Sequence, residues 1–201
     1  MTDFAILIPF LVFCLVMTVT PGPNNMMVLT AAARAGLLGA MPLIAGIAIG
    51  SALQIASVGA GLGAVIATSP KLQIAMTLAG AGFLLWIALR IAMSGRIRDQ
   101  ESSQPPVGFW AGVTFQWINP KAWAVTTGAT VTYLPSDSTS ADILIAALTL
   151  AFAAGVTLLI WASGGAFLQT FLRRQKFAVV FNVGAAIVLI AAIVPLVIGR
   201  F

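Results

Sequence analysis

The sequence predicts an all-α integral membrane protein: six transmembrane helices forming two inverted three-helix halves, with helices 1 and 4 broken near the midplane. Three observations predict this fold class. The chain is 60% hydrophobic and 7% charged over 201 residues, whereas a soluble domain carries about 45–50% apolar and about 25% charged residues. Six apolar stretches run along it, and a bilayer span needs about 20 residues. Two of those stretches carry Pro beside polar residues near their centres.

The composition also removes function classes. A chain of this length cannot hide so much apolar surface from water, so its solvent is lipid. There is no His, and Cys14 is the only cysteine. Disulfides, zinc sites, a paired-thiol redox relay and a Ser-His protease are therefore excluded. All five acidic residues fall at span ends or in loops, so neither an embedded catalytic carboxylate nor a metal pathway is in view. No cofactor, no metal and no enzymatic activity is expected. Cys14 reads as packing. The ten Lys and Arg are scattered over short loops, which forms no basic patch for nucleic acid and reads instead as a topology signal.

The apolar stretches cover roughly 4–33, 37–67, 72–93, 107–134, 141–170 and 178–199. No Lys or Arg precedes the first and no small-residue cleavage site follows it, so it reads as a retained span and not as a signal peptide. Stretches one, two, four and five exceed the length of a simple span, which predicts tilt or breaks. A polar segment at 95–106, with Arg96, Arg98, Asp99, Glu101 and Pro105-Pro106, divides one transporter-like domain into halves 1–94 and 107–201. Arg34, Arg90, Arg96, Arg98, Arg173, Arg174 and Lys176 follow spans one, three and five, against Lys71 and Arg200 on the other side. The positive-inside rule then puts both termini on the non-cytoplasmic side. Three spans per half is an odd number, so the halves insert with opposite orientation, as in inverted-repeat transporters. Internal similarity is slight: Thr20-Pro21 and Asn119-Pro120 lie 99 residues apart, and Leu78–Gly82 loosely resembles Phe181–Ala185.

The chemistry concentrates at Thr20-Pro21-Gly22-Pro23-Asn24-Asn25 and at Gln116-Trp117-Ile118-Asn119-Pro120-Lys121. Proline lacks the amide hydrogen and clashes with the preceding turn. In lipid, the carbonyls it frees need partners, so such breaks persist only where buried or facing a wet cavity. Asn119 suits an N-cap and Pro120 the first helical position, with Thr20-Pro21 or Gly22-Pro23 playing the same parts in span one. A half-helix starting there aims free N–H groups and partial positive charge into the bundle, which fits an anionic group. Lys121 at such a start is costly by about 2.5–3.5 kcal/mol; it is read either as a partner for a bound anion or as a donor to carbonyls freed by the break. Asn24, Asn25, Gln116 and Asn119 are either interhelical hydrogen-bonding groups or members of a site. Trp117 and Trp123 either line that site or pack in the bundle. Gly46-xxx-Gly50 and Gly59-xxx-Gly63 are read as stripes for close helix packing.

With Thr20-Pro-Gly-Pro-Asn24 in span one and Asn119-Pro-Lys-Ala122 in span four, the chain resembles the LysE/RhtB family of amino-acid exporters. The resemblance extends to its length, its six stretches, its central polar loop and the Gly-rich segment before Leu85-Trp86. It implies a multi-pass protein of the bacterial cytoplasmic (inner) membrane that exports amino acids by proton antiport. By position, Pro21, Gly22, Pro23 and Asn24 match the first family motif, and Asn119, Pro120 and Lys121 the second. Because no carboxylate lies inside a span, a cationic substrate would find no buried counter-charge, and a small neutral amino acid or derivative is expected. A homodimer is expected from the small size of a six-span bundle. The competing readings are a transporter of another small metabolite and a membrane scaffold subunit without a substrate.

Overall fold

The structure is a computed structural model that describes residues 4–93, 108–134, 138–172, 175–191 and 194. The polar connection expected at 95–106 lies outside the described residues, as do Asp137, Arg173, Arg174, Arg200 and most of 192–199. The described elements are helical: α1 (Phe4–Val19), α2 (Pro23–Ser57), a π-helical turn (Val58–Leu62), α3 (Gly63–Ala67), α4 (Pro70–Ala92), α5 (Phe109–Ile118), α6 (Pro120–Tyr133), α7 (Ser140–Leu172) and α8 (Gln175–Ala191). Three continuous helical stretches are long and apolar enough to cross a bilayer: Pro23–Ile66, Pro70–Ala92 and Ser140–Leu172. α1 with 16 residues and α8 with 17 are shorter apolar helices. At 1.5 Å per residue, 16 residues reach about 24 Å, short of a hydrocarbon core of about 30 Å.

Helix boundaries follow the local chemistry. α1 ends before Pro21, and α2 restarts with Pro23 at its first position behind the extended Gly22. α5 and α6 are divided by Asn119, whose backbone is extended and whose Oδ1 accepts the Lys121 amide, leaving Pro120 as the first residue of α6. α2 is interrupted once more, at Gly36 (φ 72°, ψ 176°). Only glycine takes that backbone without strain, and the turn falls between the first and second apolar stretches. Thr139 and Asp142 cap α7 reciprocally: Asp142 Oδ2 accepts from the Thr139 amide and hydroxyl at 2.9 and 2.8 Å, and Thr139 Oγ1 accepts from the Asp142 amide at 3.3 Å.

The outside of the protein is apolar and its centre is polar, the reverse of a water-soluble protein. Leu38, Val131, Trp110, Phe167 and Val180 are exposed, while Asn25, Gln54, Gln116 and Asn119 are buried to 2% or less. Two apolar clusters flank that polar centre. One contains Ile47, Phe115, Leu158 and Leu189; the other contains Phe10, Cys14, Ile55, Val125 and Leu150. Cys14 is thus a packing residue of the second cluster.

The two glycine stripes part company. Gly46 and Gly50 lie against α5: a Cβ on Gly46 would run into the Phe109 carbonyl, and one on Gly50 would come within 2.8 Å of Gln116 Cγ. From the other side, a Cβ on Gly112 would meet the Leu43 carbonyl at 2.7 Å. This is the close packing the sequence predicts. Gly59-xxx-Gly63 meets that expectation in part: a Cβ on Gly59 would lie 3.3 Å from Ile143 Cγ1 of α7, but the segment forms the π-helical turn, with Gly61 at φ 107° and open space around it.

Candidate functional site

The two breaks release backbone carbonyls, and side chains from distant elements take them up. In an unbroken helix the Val19 carbonyl would accept from residue 23, which is Pro and has no N–H; here it accepts from Trp161 Nε1 of α7 at 3.1 Å. The Thr18 carbonyl accepts from Asn25 Nδ2 at 2.9 Å. Lys121 Nζ donates to the Thr20 carbonyl and, at 3.4 Å, to that of Pro21. At the second break the Gln116 carbonyl would look to residue 120, again Pro. Gln54 Nε2 of α2 supplies the missing donor at 2.8 Å. Trp123 Nε1 donates to the Trp117 carbonyl at 2.8 Å, the group the Lys121 amide would have used had it not turned to Asn119.

Between the breaks the side-chain amides form one network. Asn24 Nδ2 donates to Gln116 Oε1 at 3.1 Å, and Gln116 Nε2 returns a bond to Asn24 Oδ1 at 3.2 Å. Asn119 Nδ2 donates to the same Asn24 oxygen at 3.2 Å. Ser51 Oγ reaches Gln116 Oε1 at 3.5 Å, and Gln116 Nε2 also reaches the Gly112 carbonyl at 3.1 Å. Gln54 Oε1 is buried without a hydrogen-bond partner. Such an orphan costs about 1–3 kcal/mol, and it leaves Gln54 with an unused acceptor beside the network.

This network borders a cavity of about 40 Å³, roughly the share of one water molecule in the liquid. Of the predicted residues, Asn24, Asn25, Gln116, Asn119 and Lys121 line it. Thr20, Pro21, Gly22, Pro23 and Pro120 do not; they shape the backbone around it and, for Thr20 and Pro21, hold Lys121. Gly22 is pressed against that lysine, since a Cβ there would lie 2.8 Å from Lys121 Cδ and 3.0 Å from Nζ. Thr18, Ser51 and Thr126 add polar lining that the sequence reading missed, and Gln54 adds support behind it. The pattern Gly50-Ser51-x-x-Gln54 was the available signal, because two polar groups one turn apart in an apolar run need a partner within the bundle.

Trp117 and Trp123 stand outside the polar cavity. Their rings meet edge to face at 6.1 Å, and Trp123 instead lines a larger, mainly apolar cavity of about 350 Å³ between α3, α4 and α6. α6 is the wall between the two spaces. Lys121, Ala122, Val125 and Thr126 face the small polar one, and Pro120, Trp123, Ala124 and Thr127 face the large one, as the 3.6-residue period requires.

Arranged this way, the site offers amide donors and acceptors, three hydroxyls, one ammonium and two helix starts, with no carboxylate among its lining residues. It suits a small solute bearing its own anionic group. The chain is similar to several known proteins. The cysteine/O-acetylserine efflux protein of Klebsiella pneumoniae is 29% identical over 161 residues, covering 80% of this chain and 82% of that one. The protein of the same name from Escherichia coli O1:K1 / APEC is 28% identical over 82% of this chain and 85% of its own. That of Salmonella choleraesuis is 33% identical over 56% and 57%. No solved structure matches the chain. The family model described as LysE type translocator matches residues 15–199; since that range takes in both breaks and every side chain of the polar network, the chain belongs to the LysE type translocator family.

Proposed function

We propose that this protein exports a small neutral amino acid, or a close derivative of one, from the cytoplasm across the bacterial inner membrane by proton antiport. The observation that carries the reading is the network joining the two breaks: Asn24, Gln116 and Asn119 around one cavity, with Lys121 reaching across to the Thr20 and Pro21 carbonyls. The substrate carboxylate takes Lys121 Nζ and the helix starts at Pro23 and Pro120. As the ammonium leaves the Thr20 and Pro21 carbonyls, those carbonyls become acceptors for the substrate's own amino group. One zwitterion thereby replaces one lysine contact, and no buried charge is left alone. The names of the relatives, cysteine and O-acetylserine efflux proteins, agree with a short, uncharged side chain. A lysine-like substrate would add a cation that no lining carboxylate offsets.

A 40 Å³ cavity is smaller than any amino acid, so loading requires the helices around it to separate. In the proposed architecture, six spans form two inverted halves, 1–94 and 107–201, with both termini on the non-cytoplasmic side. The broken spans then meet from opposite sides of the bilayer. Lys121 is the only ionisable residue lining the cavity among those described, which makes it the group assigned to proton coupling. The test is efflux of a panel of labelled amino acids from preloaded cells, comparing the native chain with Lys121→Gln at matched expression. Faster export of a neutral amino acid by the native chain, lost in the variant and abolished by a protonophore, supports the proposal. Export of lysine as fast as of neutral amino acids contradicts the substrate assignment, and export indifferent to the protonophore contradicts antiport.

A further inference from the structure

The lining of the polar cavity is divided by element. α1, α2, α5, α6 and the Asn119 break contribute every polar group, whereas α7 contributes only Leu150, Ala154 and Leu158. These three recur every four residues, so they form one stripe along a single helix face. Each is 2% exposed. The threonines of α7 beside the stripe have their hydroxyls turned back into the helix: Thr149 Oγ1 donates to the Ile145 carbonyl at 2.8 Å, and Thr157 Oγ1 to the Ala153 and Ala154 carbonyls at 2.9 and 3.1 Å. α7 therefore presents hydrocarbon alone to a cavity whose other walls mix polar groups with Met17, Ile47, Ala122 and Val125. Along the stripe a small residue stands between two large ones, one turn to either side, which leaves a notch at Ala154.

We propose that this α7 stripe is the side-chain subsite of the transporter and that Ala154, between Leu150 and Leu158, sets the length of side chain it accepts. The inference rests on the proposed function above. With the substrate's carboxylate and amino group held at the breaks, the α-carbon substituent is left to face α7, the one lining helix that contributes no polar group. A hydrocarbon wall takes a methyl, a methylene or a thiol and offers nothing to a charged group. Discrimination in such a pocket comes from fit, with each methylene that fits or clashes changing the rate about 10-fold or more. The stripe thus accounts for selection by size, while the amide network accounts for selection of the amino-acid head.

The experiment is export of a straight-chain series (alanine, 2-aminobutyrate, norvaline, norleucine) by purified full-length protein in proteoliposomes. The native chain, Ala154→Val, Leu158→Val and Gly155→Ala are compared, the last because Gly155 of the same helix faces open space. The reading is the ratio between successive members within each variant, which does not depend on how much protein has folded. Ala154→Val is expected to shift the cut-off to shorter chains, lowering export of the longest accepted member about 10-fold relative to alanine. Leu158→Val is expected to shift it to longer chains, and Gly155→Ala to leave it in place. Cut-offs that coincide in all four proteins overturn the subsite. Absence of export of every member by the native chain overturns the amino-acid reading itself, and the subsite with it.

Discussion

Asn24 and Gln116, 92 residues apart in sequence, exchange two hydrogen bonds through their side-chain amides. The pair ties the helix that starts after the first break to the helix that ends before the second. Its members belong to different predicted halves of the chain, so it couples the halves at the point where both backbones are open. In hydrocarbon surroundings, measured interhelical bonds average about 0.6 kcal/mol, with a maximum near 1.7 kcal/mol. A reciprocal pair joined by Asn119 and Ser51 belongs in the upper part of that range.

The first prediction is a coupling energy. Asn24→Ala and Gln116→Ala are each expected to lower stability by about 1–3 kcal/mol, because each removes both bonds of the reciprocal pair, at about 0.5–1.5 kcal/mol per bond. The double variant is expected to lose less than the sum, by about 1 kcal/mol or more. Thermal unfolding of the four proteins in one detergent checks this; strictly additive losses contradict it.

The second concerns the substitute donor at the second break. Gln54→Ala removes the Nε2 bond to the Gln116 carbonyl and is expected to cost about 1–3 kcal/mol. In a Pro120→Ala background the chain regains an N–H that can serve that carbonyl, so the cost of Gln54→Ala is expected to fall by at least half. Pro120→Ala alone is expected to slow export by closing the break, since proline at the first position of α6 is what keeps α5 and α6 from joining. Unfolding curves and efflux rates on the same preparations decide it.

Gly22 supplies the third. Its φ of −172° is open to any residue, so a side chain there brings no backbone strain; it meets only the flexible stem of Lys121 at 2.8 Å. Gly22→Ala is therefore expected to insert and fold normally while pushing the ammonium off the Thr20 and Pro21 carbonyls. The added methyl also occupies the space beside Lys121 Nζ and so displaces the ammonium from the place where it would meet the substrate carboxylate; export is expected to fall about 10-fold or more, as in Lys121→Gln. Gly22→Ala exporting at the native rate contradicts the role given to that contact.

Packing gives the fourth. Gly46→Val forces α2 and α5 apart at the Phe109 carbonyl and is expected to cost about 1–3 kcal/mol or more. Gly155→Ala, with open space around it, is expected to change stability by less than about 0.5 kcal/mol. Yield and melting temperature of the purified proteins give the comparison.

Much of this architecture was legible in the residues because proline and asparagine act locally. Pro21, Pro23 and Pro120 forbid particular hydrogen bonds whatever surrounds them, so the breaks fall where the sequence puts them, and Asn119 caps α6 by a bond two residues long. Gly46 and Gly50 were legible for a similar reason, since a small-residue stripe in an apolar helix has few other uses. The partners were not legible. Nothing near Val19 points to Trp161, 142 residues away, and nothing near Gln116 points to Gln54, because helix docking decides which donor arrives at a freed carbonyl. Gly59-xxx-Gly63 was legible in part: Gly59 does pack against Ile143, but the pattern hid the turn that Gly61 makes at φ 107°. Lys121 was read two ways; it donates to carbonyls at the first break, as the second reading expects, and it also lines the cavity.

The most direct test of the account is exchange in proteoliposomes holding purified protein, loaded with unlabelled O-acetylserine and given a trace of the labelled compound outside. Native protein is predicted to accumulate label transiently, competed by other short neutral amino acids and not by lysine, with the signal lost in Asn24→Ala, Gln116→Ala and Lys121→Gln. Exchange that survives all three substitutions undiminished, or that lysine competes as well as the neutral amino acids do, would contradict a substrate site at the two helix breaks.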